Sequence, residues 1–344
     1  MENDAVIKIN ERLQTVATIS EKKVTLSVEL LSKNAWENSL MTYIDEVPFQ
    51  YIGKGEQCII KTRLALADNK SKKASVVLME EPENHLTHTR LNQLIDTISE
   101  QFDERQIIIT THSSFVANKL GIDKLTLLSN NGYRTRISNL TTETHDFFKK
   151  LPGYDSLRLV LSSKTILVEG SSDELVVQKA YMDAHNGKLP IEDGIDVISV
   201  GTSFLRFLEI AKNLKKRVAV ITDNDGDITA LEKKYNDYVG NNQKENILIS
   251  FDKINHTPNS PMKDYNYNTL ENVMLLKNDR NTLNTVFGKS YDSDDNLRRY
   301  MKINKTECAL AIFETKTKIS YPDYIKEAIA YVCEQAGYSC RRIR

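Results

Sequence analysis

Short apolar runs rich in β-branched residues recur along the chain. Each is followed by a polar loop and then by helical spacing. "VVLM" (76–79) and "IIIT" (107–110) come first. "TILV" (165–168), "VISV" (197–200) and "RVAVI" (217–221) form a later set. Continuous apolar runs of this length are expected of parallel strands covered on both faces. Between them, stretches such as "LNQLIDTISEQF" (91–102) place apolar residues three and four apart, as an amphipathic helix does. Strand, loop and helix in repeated alternation predict an α/β fold.

The alternation comes in two blocks. A turn-rich stretch, "LTTETHDFFKKLPGYDS" (140–156), separates them. The pattern predicts a first domain over residues 1–155 and a second α/β core over 156–255. Residues 256–344 form an extension. It opens on the Pro/Asn-rich segment "DKINHTPNSPMKDYNYN" (252–268) and becomes helical, as in "YPDYIKEAIAYVCEQAG" (321–337). Pro322 is placed for a helix first turn. Residues 1–50 mix polar helix-like and strand-like stretches, such as "KVTLSVEL" (23–30), without nameable chemistry.

With 344 residues, the chain is long enough for more than one core. Its net charge of −1 provides no global basic field, so any contact with DNA must come from local patches. Those patches are "KNLKKR" (212–217), Arg298 with Arg299, and "RRIR" (341–344). Each also reads as a solvated helix face or a tail. The four cysteines form no CxxC pair and no histidine stands at zinc spacing, which argues against a structural zinc site. No apolar run approaches the ~20 residues that span a bilayer, and "MENDAVIKIN" is not a signal peptide. A cytoplasmic setting without membrane contact is the expectation.

The carboxylates carry the chemistry. Glu169 ends "TILV", and Gly170 then allows a turn into a helix whose first residues include Asp173 and Glu174. Asp223 and Asp225 follow "RVAVI" in the stretch "TDNDGD". Open α/β sheets place their sites beyond the carboxyl ends of the strands. If the two strands are neighbours, Glu169, Asp173, Asp223 and Asp225 meet in one small volume. Like charges at that range resist one another's ionisation, and a divalent cation removes the conflict. An all-oxygen donor set favours Mg²⁺ or Mn²⁺. The plainer alternative makes Asp173 a helix cap and "DNDGD" a hydrated turn. Asp227 ranks below Asp223 and Asp225. Glu271 in "TLEN" reads either as a distal metal ligand or as a helix-start acid that favours the dipole.

"LVEGSSDE" and "VITDNDGD" together resemble a Toprim domain, a metal-dependent phosphoryl-transfer fold. The resemblance implies acid–base work or metal binding for Glu169, and metal binding for Asp223 and Asp225. In the first block, "VVLMEEPENHL" resembles a Walker B strand of the ABC type. Glu80 then stands at the Mg²⁺ shell and Glu81 orients the attacking water. "THS" resembles the ABC switch histidine, His112, and "GKGEQ" (53–57) a degenerate signature with Gly53, Gly55 and Gln57. No GxxxxGK[ST] loop occurs, so the reading is a partial ATPase lobe. Little ATP hydrolysis is expected from this chain alone. ATP becomes a cofactor only if another lobe supplies the phosphate loop. The exposed remnant is expected to self-associate or to bind a chain carrying that lobe.

An ABC-type segment followed by a Toprim domain resembles the OLD (overcoming lysogenization defect) nuclease family. The stretches "EEPENHL", "TTHSSFVANKLGI", "ILVEGSSDELVVQKAY", "KRVAVITDNDGD" and "NKTECALAIFE" look most like its Gabija protein A branch. That resemblance implies an anti-phage DNA endonuclease working with a UvrD-like helicase (Gabija protein B-like). It also implies an assisting lysine, best matched by Lys305, with Lys316 and Lys318 as rivals. The chain departs from the pattern in lacking the amino-terminal lobe, and "VISVGTSF" lacks a basic residue beside the glycine. The expected reaction is metal-dependent hydrolysis of a DNA phosphodiester. The alternatives are a Toprim topoisomerase or primase, and a non-catalytic assembly or regulatory subunit.

Overall fold

The computed structural model describes residues 7–8, 10–11, 24–28, 40–67, 76–99, 106–128, 134–137 and 140–334. The chain divides into two compact units, Met1–Leu120 and Gly121–Arg344. The basic stretch "RRIR" and Cys340 lie outside the described residues.

In the first unit, β1 (Val24–Val28), β2 (Leu40–Ile44) and β3 (Val47–Pro48) form an antiparallel sheet. Helix α1 (Lys54–Ala67) follows. Then come β4 (Val76–Glu80), α2 (His88–Ser99), β5 (Gln106–Thr110) and α3 (Ser114–Leu120). Strands β4 and β5 pair in parallel, with Leu78 opposite Ile108. Leu91, Leu94, Ile95 and Ile98 bury one stripe of α2 against Met79, Ile107 and Ile109. The other sheet face is open: Leu78 is 74% exposed and Ile108 48%. The expectation that these runs are buried on both faces therefore fails here. Among the described residues this sheet has two strands and a helical layer on one side.

The second unit opens with the hairpin β6 (Thr126–Leu128) and β7 (Arg134–Arg136). Next are α4 (Thr142–Lys150), α5 (Ser156–Leu161), β8 (Lys164–Val168), α6 (Ser171–Ala184) and β9 (Ile195–Ser199). Helix α7 (Phe204–Leu214), β10 (Arg217–Ile221), α8 (Ile228–Lys234) and β11 (Ile247–Ser250) complete the α/β core. Its sheet is parallel throughout, in the order β11-β10-β8-β9. Strands β8 and β10 are thus central neighbours, with Ile166 beside Ala219.

Side-chain alternation divides the sheet's two faces. Ile166, Val168, Ala219, Ile221, Ile195 and Val197 pack with α6 and with the carboxy-terminal helices. These are α9 (Leu270–Lys277), α10 (Arg280–Phe287), α11 (Asp294–Ile303), α12 (Lys305–Glu314) and α13 (Asp323–Cys333). The helical extension therefore shares its core with the sheet. Ile325, Ala328, Ile329 and Val332 of α13 are buried in that core. Pro322 stands one position earlier than expected, as the residue that caps α13. Helices α5 and α7 cover the opposite face.

The unit boundary falls at residue 120 rather than 155, and the packing of α4 explains it. Phe148 is fully buried and meets Phe207 of α7 edge to face at 5.3 Å. Arg206 donates to Thr144 at 3.1 Å, and Glu209 accepts from both the backbone N–H and the hydroxyl of Thr141. Helix α4 thus belongs to the core of the second unit. A fragment of residues 121–344 is expected to melt cooperatively. A fragment of 156–344 loses the Phe148 ring, which corresponds to roughly 3 kcal/mol or more of lost stability. Urea melts of the two fragments check this.

Candidate functional site

The carboxyl ends of β8 and β10 lie side by side, so Glu169 and the turn after Ile221 leave the sheet together. Glu169 is exposed at this edge. The chain bends at Glu169 and Gly170 between β8 and α6, as expected, but Gly170 makes the turn in an extended conformation (φ −133°) without using the left-handed region. It caps α6, and its N–H donates to Asp173 Oδ2 at 2.8 Å. Asp173 is therefore both a cap and a member of the acidic group. Burial raises its carboxyl to about 6, and Glu271 and Glu169 push in the same direction.

Asp223 is held well above the usual carboxylate range. Burial is the largest cause, followed by Asp173, Glu271 and Asp225, with Lys305 opposing. These mutual effects bring five acids and one lysine into a single electrostatic neighbourhood: Glu169, Asp173, Asp223, Asp225, Glu271 and Lys305. Glu271 sits in the first turn of α9 and pairs with Lys305 Nζ at 2.9 Å. The Glu271 side chain is only 11% exposed against 49% for Lys305. Burial lowers the Lys305 ammonium, but Glu271, Asp223 and Asp173 together carry it above the ordinary lysine value. Lys305 is the first residue of α12, where a cation opposes the helix dipole. Its partner Glu271 offsets that cost. Lys316 and Lys318 lie beyond the other end of this ten-residue helix, about 15 Å along its axis.

The "TDNDGD" turn is built from left-handed residues, Asp225 (φ 51°) and Gly226 (φ 85°). A Cβ at Gly226 would stand 3.1 Å from Asn268 Nδ2, so glycine also provides room. Asn224 is buried and donates to the carbonyls of Asp252 (2.6 Å) and Ile254 (3.1 Å). Asp225 Oδ1 accepts from Asn266 Nδ2 at 2.9 Å. Asp227 accepts from Ala230 N–H and caps α8, which agrees with its lower ranking. The turn is thus docked rather than merely hydrated.

Among the described residues, no three His, Cys, Asp or Glu side chains converge closely enough to ligate one ion as placed. The close four-carboxylate convergence expected from the sequence is looser in the structure. Asp173, Glu271 and Asp225 each hold an internal partner, and unneutralised charges repel one another. The donor set still fits Mg²⁺ or Mn²⁺: its ligands are oxygens, and Asp173 and Asp223 resist ionisation where they stand.

Several basic residues named as possible DNA contacts are occupied elsewhere. Lys216 donates to Ser162 O, and burial lowers its ammonium. Arg217 stacks on Tyr331 at 4.0 Å and donates to its carbonyl. Arg298 donates to Asn272 Oδ1 (2.9 Å) and to Asp295 (3.0 Å). Lys212, Lys215 and Arg299 remain exposed. Sequence reasoning missed Asn224, Asn266 and Asn272. The only sequence signal for them was the density of asparagines in and after the loop.

In the first unit, Glu80 and Glu81 end β4, and His112 follows β5. His112 Nδ1 lies 3.4 Å from Glu81 Oε1, and Asn84 donates to Glu81 Oε2 at 2.6 Å. Glu83, not anticipated, accepts from Thr111 Oγ1 (2.6 Å) and His112 N–H (3.0 Å), tying the two strand-end loops together. Helix α1 begins at Lys54, so Gly55 and Gln57 lie within its first turn. A Cβ at Gly55 would stand 2.4 Å from His85 O, so this glycine is required by the close approach of the backbone. Gly53 has open space around it. Gln57 holds the turn that precedes α1. It is buried, and its amide donates to the carbonyls of Phe49 (2.9 Å) and Ile52 (2.7 Å).

Asp173 supplies a pH test of the second-unit site. Its native carboxyl titrates near 6 against an ordinary value of 3.8. Between those values the native state binds more protons than the unfolded one, so stability falls as pH rises through this window. The difference corresponds to about 3 kcal/mol. In chelator at pH 7, Asp173→Asn is expected to be more stable than wild type by up to about this amount, with the gain vanishing near pH 4. Urea melts across pH check it.

Residues 160–225 match the family model described as "Overcoming lysogenization defect protein-like, TOPRIM domain". Residues 5–117 match an AAA ATPase domain. No curated protein gives a significant match. Among solved structures, the chain is similar to the C-terminal region of the Xanthomonas campestris pv. campestris OLD protein. Identity is 18%, coverage is 51% of this chain and 94% of that one, and the TM-score is 0.32. A chain from structural work on ATP-driven dimerization and DNA-stimulated activation of SMC ATPases gives 19% identity, with 41% and 96% coverage and a TM-score of 0.29. The domain models rather than these superpositions bear on the family. No helix among the described residues is long and apolar enough to cross a membrane. Residues 160–225 thus match an OLD-like Toprim domain, and residues 5–117, which precede them, match an AAA ATPase domain.

Proposed function

We propose that the second unit is a Mg²⁺- or Mn²⁺-dependent DNA endonuclease centre. The observation that supports it most is the single electrostatic neighbourhood of Glu169, Asp173, Asp223, Asp225, Glu271 and Lys305 at the ends of two adjacent parallel strands. Asp223, Asp173, Asp225 and Glu271 would hold the cation, which when bound supplies Lewis acidity toward a phosphodiester and activates water. Glu169, exposed at the rim, accepts the proton of the attacking water at its carboxylate. Lys305 directs its ammonium at the phosphate or the leaving oxygen, where negative charge develops. The partly buried Asp173 and Asp223 set the strength of the field.

The anti-phage role, the cytoplasmic setting and a UvrD-like helicase partner are part of this proposal and rest on the Gabija-like resemblance. The open apolar face of β4 and β5 supports docking of another copy or of a lobe carrying a phosphate loop. A second reading, a non-catalytic assembly subunit, draws support from the internal partners already held by Asp173, Asp225 and Glu271.

Plasmid nicking separates the two. With Mn²⁺ and no ATP, the chain is expected to nick supercoiled DNA. Glu169→Ala and Asp223→Ala are expected to lose about 100-fold or more. Lys305→Ala is expected to lose on the order of 100-fold, as removal of a transition-state donor does. Equal nicking by wild type and the carboxylate variants would remove the catalytic assignment.

A further inference from the structure

The loop over residues 252–268 is fastened at several points, and one fastening reaches the site. Asn224 anchors its start at Asp252 and Ile254. His256 Nε2 lies 3.0 Å from Asp252 Oδ2. His256 N–H donates to Asn268 Oδ1 at 2.6 Å, and Asn268 Nδ2 returns to His256 O at 3.3 Å. Asn272 holds the end of the loop at Tyr267 O, at 2.6 Å. These bonds close the loop on itself and on the "TDNDGD" turn. Asn266 alone among the loop's side chains makes a different kind of contact, with its amide on Asp225 Oδ1.

The Asn266 amide is also oriented from behind. Its Oδ1 accepts the Asn268 backbone N–H at 2.9 Å, which points the Nδ2 toward Asp225. Asp225 needs such an aim. It is exposed, sits at a left-handed backbone position beside Gly226, and its side chain would otherwise turn freely in water. The neighbouring Tyr265 hydroxyl is buried without a hydrogen-bond partner among the described residues, and lies within the electrostatic reach of Glu271. Asn266 is thus the loop side chain that hydrogen-bonds to the acidic cluster.

We propose that Asn266 is a positioning residue that fixes the Asp225 carboxylate for cation binding, with the 252–268 loop as the strap that carries it. This rests on the metal reading of the site given above. An outer hydrogen-bond partner of a ligating carboxylate sets its orientation and basicity, and losing such a partner weakens metal affinity by about 10- to 100-fold.

The test is calorimetric titration of the full chain with Mn²⁺ alone, paired with thermal melts. Asn266→Ala is expected to raise the Mn²⁺ dissociation constant about 10-fold or more. Asn246→Ala, which removes amide bonds to Ala211 O and Lys216 O at the opposite end of the sheet, is expected to lower the melting temperature with little effect on affinity. In an Asp225→Ala background, adding Asn266→Ala is expected to change the affinity no further, because the two act as one unit. Should Asn266→Ala fail to fold, Asn266→Gln carries the same test, since it keeps the amide but moves it by one methylene. Unchanged affinity in the Asn266 variant would overturn the proposal, as would equal weakening by the Asn266 and Asn246 variants. A wild-type chain that binds no Mn²⁺, or binds it equally after Asp223→Asn, would instead defeat the metal reading, and the positioning role with it.

Discussion

Mutual repulsion of carboxylates in a partly desolvated pocket is the constraint on which the second unit depends. Partial burial raises the cost of ionising Asp173 and Asp223; Glu271 adds to both, Glu169 to Asp173, and Asp173 and Asp225 to Asp223. Such a group persists only if the surrounding fold is stable enough to hold it and cations offset it. Lys305 is the internal cation. A helix N-terminus is a poor place for a lysine, and the Glu271 pair is the visible reason for it.

The rest of the architecture provides that support. A four-stranded parallel sheet buried on both faces fixes the two strand ends beside each other. The carboxy-terminal helices are part of the same core, and they deliver Glu271 and Lys305 to the edge where Glu169 and Asp223 emerge. Chain segments far apart in sequence thus converge because their apolar faces need the same sheet. The asparagine-rich loop lies between the strand-end turn and α9, where the buried amides of Asn224 and Asn272 must find partners and the half-buried Asn266 holds Asp225.

Much of this was legible in the sequence. Continuous apolar runs ending in acids marked β8 and β10, and "EGSSDE" with "DNDGD" marked the edge at which they end. What was not legible was partner choice across the fold. Glu271 read equally well as a ligand and as a helix-start acid, because nothing local says that Lys305 stands opposite it. Lys216, Arg217 and Arg298 read as a basic surface, yet a buried carbonyl, an aromatic ring and an asparagine claim them. Gln57 read only as part of a signature-like stretch, and its amide clamps the turn before α1. The early boundary of the second unit followed from the packing of α4 on α7, through the buried Phe148 ring and the bonds of Thr141 and Thr144, in a stretch whose composition reads as linker. In each case the local pattern gave the element, and the identity of a distant neighbour decided the role.

The central claim is that this acidic edge is a divalent-cation site, and crystals grown with Mn²⁺ test it most directly through anomalous scattering. The account predicts a manganese peak between the carboxyl ends of β8 and β10, with carboxylate oxygens of Asp223 and its neighbours at about 2 to 2.2 Å. Manganese bound only elsewhere on the chain, with Asp223 and Asp173 left paired to protein groups alone, would contradict it.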